Sequence, residues 1–376
     1  MTNALLSNAF FNFDVASKQT EMKKWETLAK GESDNFLYAR NTPSESILAF
    51  ENAVSLLEKS DTAIAFSSGM AAIYSALMSQ LKPGMKVVAS GNIYGGSYAI
   101  LEHLLPSWGV DVILIKPESK ESLEGIIQQG CDLVYLETPS NPLLKIQDIK
   151  HLSALAHRQG AKVIVDNTVA TPISQQPITL GADIVVHSAT KFLSGHADTM
   201  GGVVCTSHAL KPSIVAFKEL SGACLDPMGG FLIARGMRTL ALRMRQSMHN
   251  AQYLAEYLLS TDAVDAVFYP GLTSHPGHHI AKQQMQGYGA LLSFNLKGGT
   301  GAVEAFVNSF EPHHLRSTLG SVDTLIGLPS TTSHVECTIE ERIQLGIPEG
   351  LIRCSAGIED TEELMHKFKK ALQAID

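Results

Sequence analysis

The chain has 376 residues, of which 45% are hydrophobic and 18% are charged, and its formal net charge is −8. This length is enough for two domains with buried cores, and the composition is that of an ordinary globular protein. Because the balance is acidic and no basic cluster is interleaved with aromatic residues, we expect no nucleic-acid partner. The partners should be small molecules and copies of the same chain.

The start of the chain and its cysteines bear on the compartment. The first residues contain neither a positively charged leader nor a long apolar run, and no segment has the length of a membrane span. The 5 cysteines form no Cys-x-x-Cys pair, which is typical of reduced thiols. We therefore expect a cytoplasmic protein with no membrane partner. A catalytic cysteine is an alternative, but burial as a small hydrophobic residue is the favoured interpretation.

Weak periodicity and mixed polarity mark residues 1–42, which we interpret as an arm ahead of the first domain. A helix is predicted next because apolar residues recur at helical spacing. A short apolar strand over residues 63–66 follows this helix. The apolar stripe of the helix consists of Ile47, Phe50, Val54 and Leu57.

A small-residue turn after this strand, Ser68-Gly69-Met70, opens a second helix, which Pro83-Gly84 ends. The amino terminus of a helix presents free backbone N–H groups and a favourable dipole to an anion. The turn therefore predicts one end of a phosphate site, with the amides of Gly69 and Met70 as donors. Taken alone, the same turn is also typical of an ordinary strand-to-helix connection.

Strands and helices then alternate, which predicts a mostly parallel sheet covered on both faces. One crossover helix carries Ile149, Leu152 and Leu155 and ends at Gly160. A strand over residues 290–296 and a helix over 361–374 then indicate a smaller α+β domain. We predict the boundaries 1–42 for the arm, 43–241 for the large domain and 242–376 for the small domain. The predicted strands of the large domain are 85–89, 110–115, 132–136, 161–165, 183–186 and 201–205.

Two titratable residues follow neighbouring strands of the predicted sheet. Asp166 ends the strand 161–165, and Lys191 follows the strand 183–186 between Ser188 and Thr190. The carboxyl ends of parallel strands form the rim where ligands bind. A pyridoxal cofactor needs such a pair, a carboxylate to keep the pyridine nitrogen protonated and a lysine to hold the aldehyde as a Schiff base, and the two hydroxyls suit its phosphate. Each residue alone is also typical of a turn or a solvated strand end, so the prediction depends on the pair.

Three runs in this part of the chain resemble the signature of the Cys/Met-metabolism family of pyridoxal-phosphate (PLP) enzymes. They are residues 137–142, 165–168 and 187–196, and matching segments extend from about Tyr38 to Glu359. The resemblance implies PLP-dependent fold type I, which is aspartate-aminotransferase-like, with a large domain and a smaller α+β carboxyl-terminal domain. It also implies a homotetramer built as a dimer of dimers. The family includes cystathionine γ-synthase, cystathionine β- and γ-lyases, methionine γ-lyase and homoserine-ester sulfhydrylases.

The resemblance implies roles for further residues. Tyr94 would stack on the cofactor ring and act as an acid or base on the departing sulfur group. Asn141 would hydrogen-bond the 3-oxygen of the cofactor and the substrate carboxylate, and Arg353 would grip that carboxylate. A planar guanidinium is the right group for this task because it binds a carboxylate through two parallel hydrogen bonds.

A Tyr-x-Arg motif, formed by Tyr38 and Arg40, resembles the family pair that reaches the cofactor phosphate in a neighbouring subunit. Each active site would then be built by two chains. The chain continues Asn41-Thr42-Pro43, where the family usually has Asn-Pro-Thr. This departure affects the shape of the loop and not the tyrosine and arginine themselves.

The choice of reaction depends on three positions. Thr318, expected to bind substrate, stands where family members have serine, and Ser317 replaces the glutamate of cystathionine γ-synthases and γ-lyases. The missing carboxylate weakens a site for the distal amino group of cystathionine bound in the γ mode. Gly96 likewise replaces the cysteine typical of methionine γ-lyase. We therefore expect a carbon–sulfur lyase of transsulfuration that cleaves cystathionine by β- or γ-elimination. The alternatives are cystathionine γ-synthase or another γ-replacement on an O-acylhomoserine, methionine γ-lyase, and a non-catalytic PLP-binding protein.

Two other classes are disfavoured. A nicotinamide-dependent dehydrogenase would share the alternating pattern, but no Gly-x-Gly-x-x-Gly follows the first strand. His275, His278 and His279 are close in sequence, but no carboxylate or thiol is spaced to complete a metal site, and the intervening Pro-Gly predicts a surface loop. We therefore expect no metal.

Overall fold

Two β-sheets organise the chain in a computed structural model, which describes residues 40–116, 121–332 and 338–375. The first sheet has seven strands and the second has four. The strands of the first sheet are β1 (Thr62–Phe66), β2 (Lys86–Ser90), β3 (Asp111–Ile115), β4 (Leu133–Glu137), β5 (Lys162–Asp166), β6 (Ile184–Ser188) and β7 (Gly202–Thr206). Those of the second are β8 (Val264–Phe268), β9 (Leu291–Leu296), β10 (Leu325–Gly327) and β11 (Leu351–Ser355).

The seven-stranded sheet has the order β1-β7-β6-β5-β4-β2-β3. The five strands from β2 to β6 are joined by parallel pairings, whereas β7 runs antiparallel to both β1 and β6. The prediction of an α/β fold with a mostly parallel sheet is therefore confirmed. Because β4, β5 and β6 are parallel neighbours, their carboxyl ends lie side by side on one rim of the sheet.

Helices cover both faces of this sheet. Those of the first part of the chain are α1 (Glu45–Glu58), α2 (Gly69–Met78), α3 (Gly95–Ala99), α4 (Leu105–Ser107), α5 (Leu123–Gln128), α6 (Ile149–Arg158), α7 (Thr171–Ser174), α8 (Lys211–Ser221) and α9 (Pro227–Met237). A π-helical turn, Ile100–Leu104, lies between α3 and α4. Side chains that alternate along a strand enter different cores, so Val163 and Val165 pack in one apolar cluster and Ile164 in the other.

Local caps fix where the helices near the rim begin. The hydroxyl of Ser68 accepts a hydrogen bond from the backbone N–H of Ala71 at 3.0 Å, so α2 starts directly after β1. The carboxylate of Asp148 accepts from the N–H of His151 at 2.9 Å and starts the crossover helix α6. These caps hold the loops that follow β1 and β4 beside the rim.

The second sheet is antiparallel throughout, in the order β10-β11-β9-β8. The remaining helices are α10 (Leu240–Leu259), α11 (His278–Gln284), α12 (Gly299–Asn308), α13 (Ile339–Gln344) and α14 (Thr361–Gln373). The last helix buries the predicted stripe of Leu364, Phe368 and Leu372 in the core of this sheet. In the described parts of the chain, no helix combines the length and the apolar character that crossing a bilayer requires.

Candidate active site

A cavity of about 230 Å³ opens where the parallel strands of the large sheet end. Glu137 ends β4, Asp166 ends β5 and Ser188 ends β6, and Glu137 pairs directly with Asp166 across the two strands. Parallel neighbours therefore bring these three side chains to one place. The predicted residues that line the cavity are Ser68, Gly69, Met70, Tyr94, Asn141, Asp166, Ser188, Thr190, Lys191 and Arg353.

Lys191 lies in the turn that follows β6. Its backbone N–H donates to the carbonyl of Ser188 at 3.2 Å, and its carbonyl accepts from the N–H of Gly195 at 2.8 Å, so the turn is closed on both sides. The side chain points into the cavity, where Nζ donates to Oγ1 of Thr318 at 2.8 Å. Burial and, to a smaller degree, the positive charge of Arg353 lower the pKa of Lys191 to about 8. A substantial share of this amine is therefore neutral just above neutral pH.

Asp166 is a buried carboxyl group in the floor of the cavity, with 6% of its surface exposed. Its Oδ1 accepts the backbone N–H of Thr168 at 3.0 Å. Burial raises the pKa of this carboxyl group, and the hydrogen bonds from Thr168 act in the opposite direction. A carboxyl group in this state gains from a cationic N–H donor placed against it, which is what a protonated pyridine ring offers.

The amino terminus of α2 forms another wall of the cavity. The side chain and the carbonyl of Ser68 accept the N–H groups of Ala71 and Ala72. Among the described residues, nothing accepts a hydrogen bond from the N–H groups of Gly69 and Met70, which are the two donors predicted for an anion. A Cβ at Gly69 would lie 2.6 Å from Cβ of Ser188, so only glycine lets this helix end approach the strand so closely.

Arg353 occupies the middle of β11 and is only 2% exposed. Its Nη2 donates to the carbonyl of Thr318 at 2.9 Å, and its Nη1 donates to Oδ1 of Asn141 at 3.3 Å. Burial lowers its pKa to about 10, so the guanidinium remains charged at neutral pH. The structure thus brings together Arg353 and Asn141, the two residues expected to bind a substrate carboxylate.

Tyr94 directly precedes α3 and lines the same cavity. Its backbone N–H donates to Oε2 of Glu137 at 2.7 Å. The ring lies close to Gly96, because a Cβ at that position would be 2.7 Å from Cε1 of Tyr94 and 2.7 Å from the sulfur of Met70. Gly96 therefore leaves room for Tyr94 and Met70 to face the cavity together.

Two predicted residues, Thr318 and Arg40, do not line the main cavity. Thr318 lines an adjoining cavity of about 220 Å³, and its hydroxyl accepts from the lysine amine instead of facing the main cavity. Arg40 is exposed, with its Nη1 at 3.5 Å from the carbonyl of Glu219. Tyr38 lies outside the described residues. The hydroxyl of Thr190 lines both cavities and donates to the carbonyl of Gly201 at 3.2 Å.

Some lining residues had no predicted role. Glu137 belongs to a run that was noted for its family resemblance, but nothing in the sequence indicated what its side chain does. Ser317, noted as a departure from the family, lies in the cavity wall. Met200 and Thr332 also contribute to the wall, and no motif marks them. Among the described residues, no group of three or more His, Cys, Asp or Glu side chains is placed to hold a metal ion.

The residues of the cavity fit pyridoxal phosphate. An amine with a lowered pKa suits an aldehyde, a buried carboxyl group suits the pyridine nitrogen, and two unpaired backbone amides at a helix end suit a phosphate. Fold and cavity together are those of the α/β enzymes that use this cofactor.

Comparison with known proteins identifies the family of PLP enzymes that this chain resembles. The family described as Cys/Met metabolism PLP-dependent enzyme matches residues 5–373. An L-methionine gamma-lyase of Fusobacterium nucleatum subsp. polymorphum is 40% identical over 92% of this chain and 88% of its own. A cystathionine beta-lyase of Lactococcus lactis subsp. cremoris is 41% identical over 91% of this chain and 90% of its own. The crystal structure of cystathionine gamma synthase from Xanthomonas oryzae pv. oryzae in complex with cystathionine superposes with a TM-score of 0.90, at 35% identity, over 99% of this chain and 92% of that one.

The chain belongs to the Cys/Met metabolism family of PLP-dependent enzymes. The identities of 40% and 41% to two relatives with different named reactions mean that overall similarity does not select the reaction. That choice depends on individual residues of the cavity.

Proposed function

We propose that this protein is a carbon–sulfur lyase of sulfur amino-acid metabolism that cleaves cystathionine by β- or γ-elimination. The observation that carries the proposal is that Lys191, Asp166, Tyr94 and Arg353 face one cavity. Each of them supplies a function that an elimination on an amino acid requires. The relatives named as lyases of methionine and cystathionine support the same reaction class.

Arg353 and Asn141 bind the carboxylate of the substrate. The guanidinium carries five N–H donors in a fixed plane and is held by Thr318 and Asn141, so its orientation is set before the substrate arrives. A fixed carboxylate leaves the substrate little rotational freedom, which places its Cα–H toward Lys191.

Lys191 accepts the α-proton. A base works best when its pKa is near the working pH, and burial together with Arg353 brings the pKa of this amine to about 8. Thr318 accepts a hydrogen bond from Nζ at 2.8 Å, which orients the amine. When bound, pyridoxal phosphate supplies an electron-accepting ring for the charge that develops at Cα. Asp166 would hold the pyridine nitrogen of that ring in its protonated form.

Tyr94 assists the departing sulfur group by proton transfer from its hydroxyl. Its ring lies close to Gly96, and its backbone N–H donates to Glu137. Gly69 and Met70, with Ser68, Ser188 and Thr190, would bind the phosphate of the cofactor. Lys191 would be the residue that holds the cofactor covalently.

Ser317 in the cavity wall and Gly96 beside Tyr94 bear on the choice of reaction. Ser317 contributes a neutral hydroxyl where a carboxylate would hold the distal amino group of cystathionine in the γ mode. Gly96 matters for methionine cleavage, because a cysteine there would place its Cβ 2.7 Å from both the Tyr94 ring and the Met70 sulfur. A cysteine at position 96 would therefore require a different arrangement of these two side chains.

A turnover assay tests the proposal. The purified protein, loaded with pyridoxal phosphate, is supplied separately with cystathionine, with methionine, and with an O-acylhomoserine plus cysteine. We expect the highest kcat/KM with cystathionine alone; pyruvate as product means β-cleavage and 2-oxobutanoate means γ-cleavage. Cystathionine formed from the third mixture as the main reaction would make the protein a γ-synthase. Cofactor binding without turnover of any substrate would make it a non-catalytic PLP-binding protein.

We also propose that the protein is a cytoplasmic homotetramer, a dimer of dimers in which Tyr38 and Arg40 reach the phosphate of a neighbouring subunit. The exposure of Arg40 is compatible with a contact outside its own chain. Mixing inactive Lys191→Ala chains with inactive Arg40→Ala chains should restore activity, because hybrid dimers contain one intact site. A fully active monomer, or no restoration after verified subunit exchange, would contradict the shared site.

The division of the chain is part of this proposal. The arm is residues 1–42, the large domain is 43–241 and the small domain is 242–376. The seven-stranded sheet falls in the second range and the four-stranded sheet in the third, while α10 crosses the boundary between them. Limited proteolysis that cuts near the start of α10 and leaves two stable fragments would support these bounds, and cleavage inside either sheet would contradict them.

A further inference from the structure

Glu137 is a buried carboxyl group that holds two separate loops at once. Its Oε1 accepts the backbone N–H of Asn141 at 2.7 Å, and its Oε2 accepts the backbone N–H of Tyr94 at 2.7 Å. Only 4% of the residue is exposed, and its side chain lines the main cavity. One side chain thus joins the loop after β2 to the loop after β4.

The two loops depend on this side chain because no strand pairing continues between them. The ladder between β2 and β4 is recorded at residues 87–89 of β2 and ends before Tyr94 is reached. Beyond the ladder, the Glu137 carboxylate connects the backbone of Tyr94 with that of Asn141, because it accepts one hydrogen bond from each. A carboxylate that accepts N–H groups on both oxygens forms stronger hydrogen bonds than a neutral acceptor would.

The arrangement differs from that of an ordinary buried glutamate in the same protein. Glu51 is 8% exposed and also accepts a backbone N–H at 2.7 Å, from Ala65. It joins α1 to β1 and does not line the cavity. Burial raises the pKa of both carboxyl groups, and the charge of Asp166 raises that of Glu137 further; the two residues differ in what they hold.

We propose that Glu137 is a positioning residue for the reaction, and that its two oxygens fix the Tyr94 loop and the Asn141 loop relative to each other across the cavity. It acts through these two residues and not by touching the substrate. The inference rests on the proposed function, in which Asn141 helps to bind the substrate carboxylate and Tyr94 assists the sulfur group. Loss of one oxygen should therefore impair both tasks together.

Glu137→Gln tests this with nearly unchanged volume. Glutamine offers one carbonyl oxygen, and its NH₂ group would face one of the two backbone N–H groups, so one hydrogen bond is lost. We expect kcat to fall roughly tenfold and the dissociation constant for glycine, an unreactive amino acid with the same carboxylate, to rise roughly tenfold. The glycine titration is followed by the visible absorption of the holoenzyme and needs no turnover.

A double-mutant cycle separates positioning from a general loss of structure. In a Tyr94→Phe background the sulfur group has already lost its proton donor, so Glu137→Gln should lower kcat much less than in the wild type. Glu51→Gln is the matched control, since it removes one carboxylate oxygen at a similarly buried site. We expect it to lower thermal stability while the folded holoenzyme keeps its kcat and its glycine affinity.

Two results would overturn the proposal. One is a Glu137→Gln holoenzyme whose kcat and glycine affinity match those of Glu51→Gln; the other is a full, additive effect in the Tyr94→Phe background. If Glu137→Gln does not fold, Glu137→Asp replaces it, because aspartate keeps both oxygens but is too short to reach both loops, and the same outcomes apply. A wild type that binds the cofactor without turnover would refute the proposed function, whereas the glycine titration would still decide the role of Glu137.

Discussion

The two sheets supply the cavity in different ways. The seven-stranded sheet places Glu137, Asp166 and Ser188 at the last positions of three adjacent strands, and Lys191 in the turn beyond. The four-stranded sheet places Arg353 in the middle of β11, where both neighbouring strands pair with it. Strand ends lead into loops that can bring reactive groups together, whereas a residue inside an antiparallel ladder has a fixed backbone.

This difference suggests a division of labour. Burial displaces the pKa values of Glu137, Asp166 and Lys191 at the rim of the large sheet, and the charge of Asp166 raises that of Glu137 further, which is typical of groups that exchange protons. Arg353 stays charged and is held by two hydrogen bonds, which is typical of an anchor. Changes at the rim should therefore affect the chemical step, and changes at Arg353 should mainly affect binding.

The largest effect is expected from Lys191→Ala. Removing the amine removes the base and the attachment point of the cofactor, so kcat should fall by roughly 10³-fold or more. Steady-state kinetics with cystathionine measures this. Lys162→Ala, on β5 of the same sheet but outside the cavity lining, is the matched control and should keep normal kcat. Near-normal turnover by the Lys191→Ala variant would contradict the assignment of Lys191 as the base and the attachment point of the cofactor.

The next effect is expected at the anchor. Arg353→Lys keeps a positive charge but loses the planar pair of donors, and we expect kcat/KM to fall about 100-fold, mostly through KM. Initial rates over a range of cystathionine concentrations separate the two parameters. A fall carried by kcat with unchanged KM would mean that Arg353 takes part in the chemical step, and the division between the sheets would be wrong.

A smaller effect is expected from Gly96→Ala, because the side chains of Tyr94 and Met70 both lie close to this glycine. Gly96→Ala would bring a methyl group to 2.7 Å from the Tyr94 ring and from the Met70 sulfur, so one of these side chains must move. We expect kcat to fall about tenfold with a small change in KM, because an off-rotamer side chain costs about 1 kcal/mol. Gly301→Ala is the control, since nothing lies within 4 Å of that position. Equal kinetics for both variants would contradict the close approach at Gly96.

The smallest effect is expected from the electrostatic repulsion between Arg353 of the small sheet and Lys191 of the large sheet. In the cofactor-free protein, the neutral form of Lys191 should react with acetic anhydride with a rate that rises with pH through about 8. Arg353 lowers this pKa because two positive charges repel, so Arg353→Met should move the midpoint to higher pH while burial still holds it below that of an exposed lysine. Peptide mass spectrometry at several pH values measures the rate at this lysine. An unchanged or lower midpoint would exclude the interaction.

Much of the large sheet could be predicted because its strands are short β-branched runs between polar turns. The predicted bounds of β5, which ends at Asp166, and of β6, which precedes Lys191, agree with the structure to within two residues. The partners of β7 could not be predicted, because antiparallel pairing with β1 joins segments far apart in the chain. Sequence patterns specify that a strand forms more directly than which strand lies beside it.

The residues of the site differ in the same way: some are predictable from the local sequence, and others depend on contacts between distant segments. Asp166 and Lys191 were predictable because Asp166 ends a strand and Lys191 lies in the turn after one, and Gly69 and Met70 because they open a helix. The role of Arg353 came only from its family resemblance, since a lone arginine inside a strand gives no signal of its own. The contact of Gly96 with Met70 and the hydrogen bonds of Glu137 depend on how separate segments meet, which no local pattern encodes.

The central claim is that Lys191 carries the cofactor. The most direct measurement is borohydride reduction of the holoenzyme followed by proteolysis and mass spectrometry, which converts the lysine–cofactor linkage into a stable secondary amine. The account predicts a phosphopyridoxyl group on the peptide that contains Lys191 and on no other lysine. A reduced holoenzyme labelled at a different lysine, or one that carries no label, would contradict it.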